Sequence, residues 1–154
     1  MKLKKKIKST NILDIKISYG GENIRFNLSE ELIINENKIN EELKHQPSYY
    51  GFLRLLQNKL ERVKNDKKVE LDKIFSSLFI DFKSDTDPNT NRPYNNDIAE
   101  AKVLEDKEYL DAINIYNKSI EDVSIIETCV QSFEQRSRLI QTVSANIRDE
   151  KNNF

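Results

Sequence analysis

From Leu13 the chain alternates: Leu13, Ile15, Ile17 and Tyr19 fall on one side, and Asp14, Lys16 and Ser18 on the other. Ile24, Phe26 and Leu28 resume the alternation beyond Gly20-Gly21, a pair that supplies the positive φ angles a tight turn needs. The pattern predicts a β-hairpin across residues 12 to 28. Two strands are marginal alone, so this hairpin is expected to lie on helices or to extend a neighbour's sheet.

The period then changes from two to between three and four. Ser29, followed by Glu30 and Glu31, reads as a helix N-cap with acids in the first turn, opening a short helix through Ile34. Ile39 and Leu43 lie one turn apart and predict a second short helix within Asn35 to His45, ended by Gln46-Pro47. Pro47 is expected in the first turn of a long helix over about 47–83, where its missing N–H costs nothing. Tyr49, Leu53, Leu56, Leu60 and Val63 draw its apolar seam; Lys67 and Glu70 interrupt it, and Leu71, Ile74, Phe75, Leu78, Phe79 and Phe82 resume it.

Asp87-Pro88 and Arg92-Pro93 mark residues 84–96 as a loop, the least ordered part of the middle. No glycine follows Gly51 and no proline follows Pro93, so a second long helix is expected over 97–152, capped by Asp97 and kinked or briefly broken at Glu105-Asp106-Lys107. Tyr109, Ile113, Tyr116, Ile120 and Val123 form its seam. The register then shifts to Ile126, Val130, Phe133, Ile140 and Ile147, an irregularity of the stutter kind.

These elements predict a mainly α fold: a basic arm and β-hairpin over 1–28, then a helical domain over 29–154 built as a long helical hairpin. Unbroken, the last helix would extend roughly 85 Å at 1.5 Å per residue. A lone copy of this size is not expected to shelter it. Coiled-coil association of copies through Tyr109, Ile113, Tyr116, Ile120, Val123, Ile126, Val130, Phe133, Ile140 and Ile147 is therefore expected.

Composition points the same way. Hydrophobic residues make up 37% of the 154, short of the usual range, and tryptophan is absent. The net charge of −1 conceals an asymmetry. Seven basic residues face two acids from Met1 to Leu28, and eight face five from Pro47 to Lys83, but seven face twelve from Asp97 to Phe154. A basic N-terminal half suits an anion such as nucleic acid, and an acidic C-terminal half suits protein.

One cysteine, Cys129, and one histidine, His45, supply neither a disulfide nor a zinc site, and no nucleophile with its base is in evidence. Carboxylates are plentiful but scattered over solvent faces. No enzymatic activity and no cofactor are expected. The lone cysteine fits a reducing compartment, no apolar run approaches the roughly 20 residues of a membrane span, and the basic start lacks a signal peptide's apolar core. The expectation is a soluble cytoplasmic protein, in the host cell if phage-encoded, without membrane contact.

The basic residues Lys59, Arg62, Lys64, Lys67, Lys68 and Lys73 crowd three to four turns of the first long helix. Turned outward together they could neutralise phosphates, with affinity that falls with salt and ignores sequence. A solvated face partly paired with Glu61, Asp66 and Glu70 is the plainer alternative. Arg136, Arg138 and Arg148 interrupt the acidic last helix, and interhelical ion pairs are the favoured role for them.

Three stretches carry a family likeness: Ile33-Ile34-Asn35-Glu36-Asn37-Lys38-Ile39, then Lys67-Lys68-Val69-Glu70-Leu71, then Lys102-Val103-Leu104 through Arg136-Ser137-Arg138 to Arg148. In this order the chain, over roughly residues 32 to 150, resembles the tailed-phage recombination-mediator family UvsY. The resemblance implies a small helical protein without enzymatic activity that binds single-stranded DNA. It also implies a ring-like homo-oligomer, assembled through the C-terminal helix, that helps a RecA-like recombinase replace single-strand-binding protein. The family pattern has a Lys-x-Arg element just after Lys-Lys-Val; the corresponding residues here are Asp72 and Ile74, with Lys73 the nearest cation. That leaves DNA contact to Lys59 through Lys68, to the N-terminal arm, or to neither.

The leading expectation is thus a recombination mediator whose basic helix face holds single strands. The rival is a structural adaptor, a virion or assembly component, acting through helices and hairpin without DNA; an exposed strand edge favours it.

Overall fold

The structure is a computed structural model that describes residues 13–152. The polybasic arm, Lys2 to Lys8, lies outside the described residues. The fold is mainly α, 78% helical, with a two-stranded antiparallel hairpin at its N-terminal end.

Strand β1 (Asp14–Tyr19) pairs with β2 (Glu22–Asn27) in a register running from Asp14 opposite Asn27 to Tyr19 opposite Glu22. Gly20 at φ +61° and Gly21 at φ +85° make the two-residue turn, the backbone that matches right-handed strand twist. Ile15 and Ile17 are buried, while Ile24 and Phe26 opposite them are half-buried. The first strand therefore lies deeper than the second.

Asn27, not Ser29, caps helix α1 (Leu28–Glu31): its Oδ1 accepts from the N–H groups of Ser29 and Glu30. A single 3-10 turn, Glu36–Lys38, leads into α2 (Ile39–Ser84). Two helices divided at Gln46-Pro47 were expected, but α2 runs through Pro47 without a break. An interior proline costs a helix about 3 kcal/mol because it removes one hydrogen bond and crowds the preceding turn. Tertiary contacts of its neighbour, described below, hold the segment helical.

The connection from Asp85 to Asn95 is knotted down locally. Asp87 receives N–H groups from Asn89 and Thr90's hydroxyl on its carboxylate, its own N–H donates to Arg92 O at 2.9 Å, and Thr86 bridges Pro93. Those donors hold the Asp87 carboxyl below its ordinary pKa, the Asn89 N–H first among them. Asn95, rather than Asp97, caps α3 (Asn96–Glu105) by accepting from Ile98 N–H at 2.8 Å. The break expected near Asp106 is present: Asp106 leaves helical geometry at ψ 137°, and its carboxylate caps α4 (Lys107–Asn152) through Glu108 N–H.

The chain forms two compact units: residues up to 58 with those from 124 onward, and residues 59–123. In the first, Ile15, Ile17, Leu28, Leu53 and Leu56 are buried together with Ile126, Val130, Phe133 and Ile140. Tyr49 and Phe133 rings meet there at 6.0 Å. In the second, Leu60, Leu71, Ala99, Val103 and Val123 are buried, and Phe75 meets Tyr109 edge-on at 5.8 Å.

Burial along α4 corrects the expected register. Ser119 is 8% exposed whereas Ile120 is 41% exposed. The covered line runs Tyr109, Ala112, Tyr116, Ser119, Val123, Ile126, Val130, Phe133, Ser137, Ile140, Ser144, Ile147, alternating three and four throughout. No stutter is needed. Small residues hold the positions where an apolar count finds a gap, so the heptad is continuous.

Candidate functional site

The six basic residues of α2 do not share one face. At roughly 100° per residue, Lys59, Arg62 and Lys73 project within about a sixth of a turn of one another, while Lys64 and Lys67 fall on the flank nearer buried Leu60 and Leu71. Burial agrees: Lys59, Arg62, Lys68 and Lys73 are exposed, and Lys64 and Lys67 are half-buried. Lys67 is tied to Glu70 at 2.7 Å and Lys68 to Asp72 at 2.6 Å, each within the helix. The Asp72 carboxylate raises the Lys68 pKa above its ordinary value, and the Tyr116 ring lies 5.9 Å beneath the same ammonium. Asp66 and Glu70 stand on the outward face beside Lys59, Arg62 and Lys73, so its charge is mixed.

The residues expected at a subunit interface divide as well. Val123, Ile126, Val130, Phe133 and Ile140 are buried in a single copy; Tyr109, Ile113, Tyr116 and Ile147 are half-buried; Ile120 is exposed. The premise that the whole stripe needs companions is therefore corrected for the buried five, whose side chains already fill the chain's own core. Exposed apolar side chains sit elsewhere, including Leu110 and Ile115 on α4 and Phe52 and Leu55 on α2.

The most constructed polar feature lies in the first unit. Arg136 is 6% exposed, and its guanidinium donates to Gln46 Oε1 at 2.5 Å, to Glu42 Oε2 at 2.5 Å and to Ile33 O at 3.0 Å. Gln46, equally buried, donates onward to Phe133 O at 2.7 Å. Glu42 accepts from Asn35 N–H as well, so one cation gathers α2, α4 and the segment between α1 and the 3-10 turn. The Arg136 hydrogen bond holds the Glu42 carboxyl below its ordinary pKa, against the opposing effect of burial. Arg136 Nε is buried with no partner among the described residues. This is the interhelical ion pair expected of the arginines; Arg138 instead pairs within α4 with Glu134, and Arg148 donates to Ser144 O. Gln46 is not among the residues that the sequence singles out. Its only signal in the sequence is a polar residue at a seam position beside a proline.

Two hollows adjoin near this node. One, of about 210 Å³, is apolar and lies among Ile24 and Phe26 of β2, Tyr49, Phe52 and Leu53 of α2, and Phe133 of α4, with Arg25 and Glu31 at its margin. The other, about 340 Å³, is polar and shares Glu31 and Tyr49 with the first; Glu30, Glu41, Glu42 and Arg136 line it. Among the described residues no group of three or more His, Cys, Asp or Glu side chains could hold a metal ion. Cys129 is fully buried, and desolvation pushes its thiol up to about 11. Among the same residues, no helix is long and apolar enough to cross a membrane.

Comparison of the chain with family models, curated proteins and solved structures gives no match.

Proposed function

We propose that this chain is a non-enzymatic recombination mediator: copies of it assemble, hold single-stranded DNA through phosphates, and help a RecA-like recombinase replace single-strand-binding protein. The observation that carries the reading is the outward face of α2, where Lys59, Arg62 and Lys73 recur over about 21 Å of helix. The likeness of residues 32 to 150 to UvsY supports it. Among the described residues Arg62 and Lys73 enter no ion pair, so no internal carboxylate must be displaced before they meet a phosphate. Lys67 and Lys68 are weaker contributors because each already holds an acid.

Fluorescence anisotropy with a labelled single strand tests this across a salt series. Arg62→Glu with Lys73→Glu lowers affinity, and loss of the two contacts reduces the slope of log K against log salt by about 1.4. Lys67→Gln with Lys68→Gln has the smaller effect. Absence of measurable binding at low salt removes the reading.

A second reading, a structural adaptor acting through protein contacts, is favoured by the hairpin. Among the described residues β1 and β2 pair only with each other, so the sheet ends in strand edges that can extend a neighbour's sheet. Its test is pull-down of a partner that survives Arg62→Glu and Lys73→Glu but is lost with proline at Arg25 on β2.

A further inference from the structure

Two lines of side chains in the second unit are complementary. On α2, Arg62, Asp66, Val69 and Lys73 follow in steps of four, three and four residues, and all are exposed, Val69 by 53%. On α4, taken from the C-terminal side, Asp122, Lys118, Ile115 and Asp111 follow in the same steps; Ile115 is again 53% exposed, and only Asp122 is half-buried. That spacing keeps each set on one side of its helix, over about 16 Å. We propose that a second copy of this chain docks here, its α2 antiparallel to α4, with Val69 on Ile115, Lys73 at Asp111, Asp66 at Lys118 and Arg62 at Asp122.

The surface has room for it. Ile115 and Asp111 help to line an open groove of about 510 Å³ that lies wholly within the second unit, with Leu71, Ile74 and Ala112 as its other apolar residues. Lys67 is already tied to Glu70 at its edge, whereas Lys107, Glu108 and Asp111 enter no ion pair among the described residues. Arg62, Asp66 and Lys73 enter none either. Lys118 and Asp122 face each other within α4 at 3.1 Å, so the contacts there would extend an existing pair. Round α2, the exposed line and the groove point about a third of a turn apart, so one copy offers both surfaces at once.

Charge selects the occupant and its direction. Run in parallel, the same two lines set Asp66 on Ile115 and Val69 on Lys118. Two copies of the α2 line laid antiparallel, with Asp66 against Val69, set Arg62 against Lys73. Only α2 antiparallel to α4 matches every position: apolar on apolar, and each charge on its opposite. Exposed ion pairs add little affinity singly, but they fix register and reject the alternatives. Withdrawal of Val69 and Ile115 from water supplies the larger part of the attraction. Arg62 and Lys73 then have two anionic claimants, the carboxylates of the next copy and any phosphate; the docking itself does not rest on DNA binding.

Sedimentation velocity of the full chain over a concentration series tests the proposal. Val69→Ser with Ile115→Ser should weaken association at least about tenfold while circular dichroism stays unchanged, because both side chains are exposed in a single copy. Lys73→Glu and Asp111→Lys should each weaken it about fivefold or more by setting like charges together, and the two combined in one chain should restore it. Lys73→Glu with Glu108→Lys should not. A chain that is monomeric at every concentration overturns the proposal, as does association indifferent to Lys73→Glu or Asp111→Lys. Two single losses that the combined variant fails to recover overturn the register. None of these measurements uses DNA, so the single-strand reading stands or falls separately by its own salt series.

Discussion

Arg136 and Glu42 stand 94 positions apart, yet guanidinium and carboxylate meet at 2.5 Å in the first unit, the arginine buried and the glutamate half-buried. A pair with its guanidinium buried is an arrangement whose halves cannot be separated cheaply. Arg136→Ala leaves Glu42 Oε2, Gln46 Oε1 and Ile33 O without this donor, and the expected loss is about 1–3 kcal/mol in urea unfolding. Replacing both charges together, Arg136→Met with Glu42→Leu, should recover most of that loss. A double variant no better than the single would mean that the guanidinium's hydrogen bonds to Gln46 and Ile33 matter more than the charge pair.

The same pair fixes a pH response. Glu42 has a folded pKa below its ordinary 4.5, chiefly through the Arg136 hydrogen bond. A depressed folded pKa contributes stability that is present above the ordinary value and is lost as pH falls through the folded one. Unfolding free energy should therefore decline below about pH 4.5, and Glu42→Gln should flatten that decline while lowering stability at neutral pH. Equal acid slopes in the two proteins would place the titration elsewhere.

The hairpin was legible because each of its signals is local: alternation, then two glycines, then alternation. The interruption at Asp106 was legible for the same reason. Polar residues with interior addresses give no such local signal. Gln46, Ser119 and Arg136 are buried, but a count of apolar spacing passes over them, and on α4 passing over Ser119 for Ile120 produces the apparent shift of register between Val123 and Ile126. The cap candidates Ser29 and Asp97 stand two residues beyond the observed caps, since Asn27 and Asn95 compete on equal terms by residue type and only the backbone decides. The basic stretch was visible as composition, whereas its division between an outward face and an inward flank depends on where the helix buries itself.

The glycine pair supplies a prediction about the turn. Neither Gly20 nor Gly21 has anything within 4 Å of the place a Cβ would occupy, so a substitution there is judged by backbone conformation alone. Gly20→Asn should be neutral or slightly stabilising, because asparagine tolerates φ near +60° and leads the preferred Asn-Gly turn. Gly21→Val should cost roughly 1–2 kcal/mol by thermal unfolding, since a β-branched residue resists positive φ. Equal costs for both changes would mean that positive φ at Gly21 is not what limits the turn.

Pro47 leads to a prediction in the opposite direction from most substitutions. Its nitrogen cannot donate to the preceding turn of α2, and its side chain is exposed, so nothing is lost in packing by removing it. Pro47→Ala should stabilise the protein by about 1–3 kcal/mol, read as a higher urea midpoint at unchanged slope. Destabilisation would show that the helix is bent at Pro47 and that the bend positions Gln46 against Phe133.

Ile126 and Ile120 are the same residue six positions apart on one helix, and their burial separates two roles. Ile126 has no exposed surface, so Ile126→Ala opens a cavity and should cost about 2–5 kcal/mol whatever the protein concentration. Ile120 is open to solvent in a single copy, so Ile120→Ala should change that copy's stability by no more than about 0.5 kcal/mol. If copies associate through this side of α4, however, Ile120→Ala lowers the solution mass measured by light scattering at a given concentration, and its stability loss grows with concentration. Ile126→Ala cannot mimic that pattern, because its side chain is spent inside the first unit. Mass and stability measured on the two variants side by side therefore distinguish an interface from a core on a single helix.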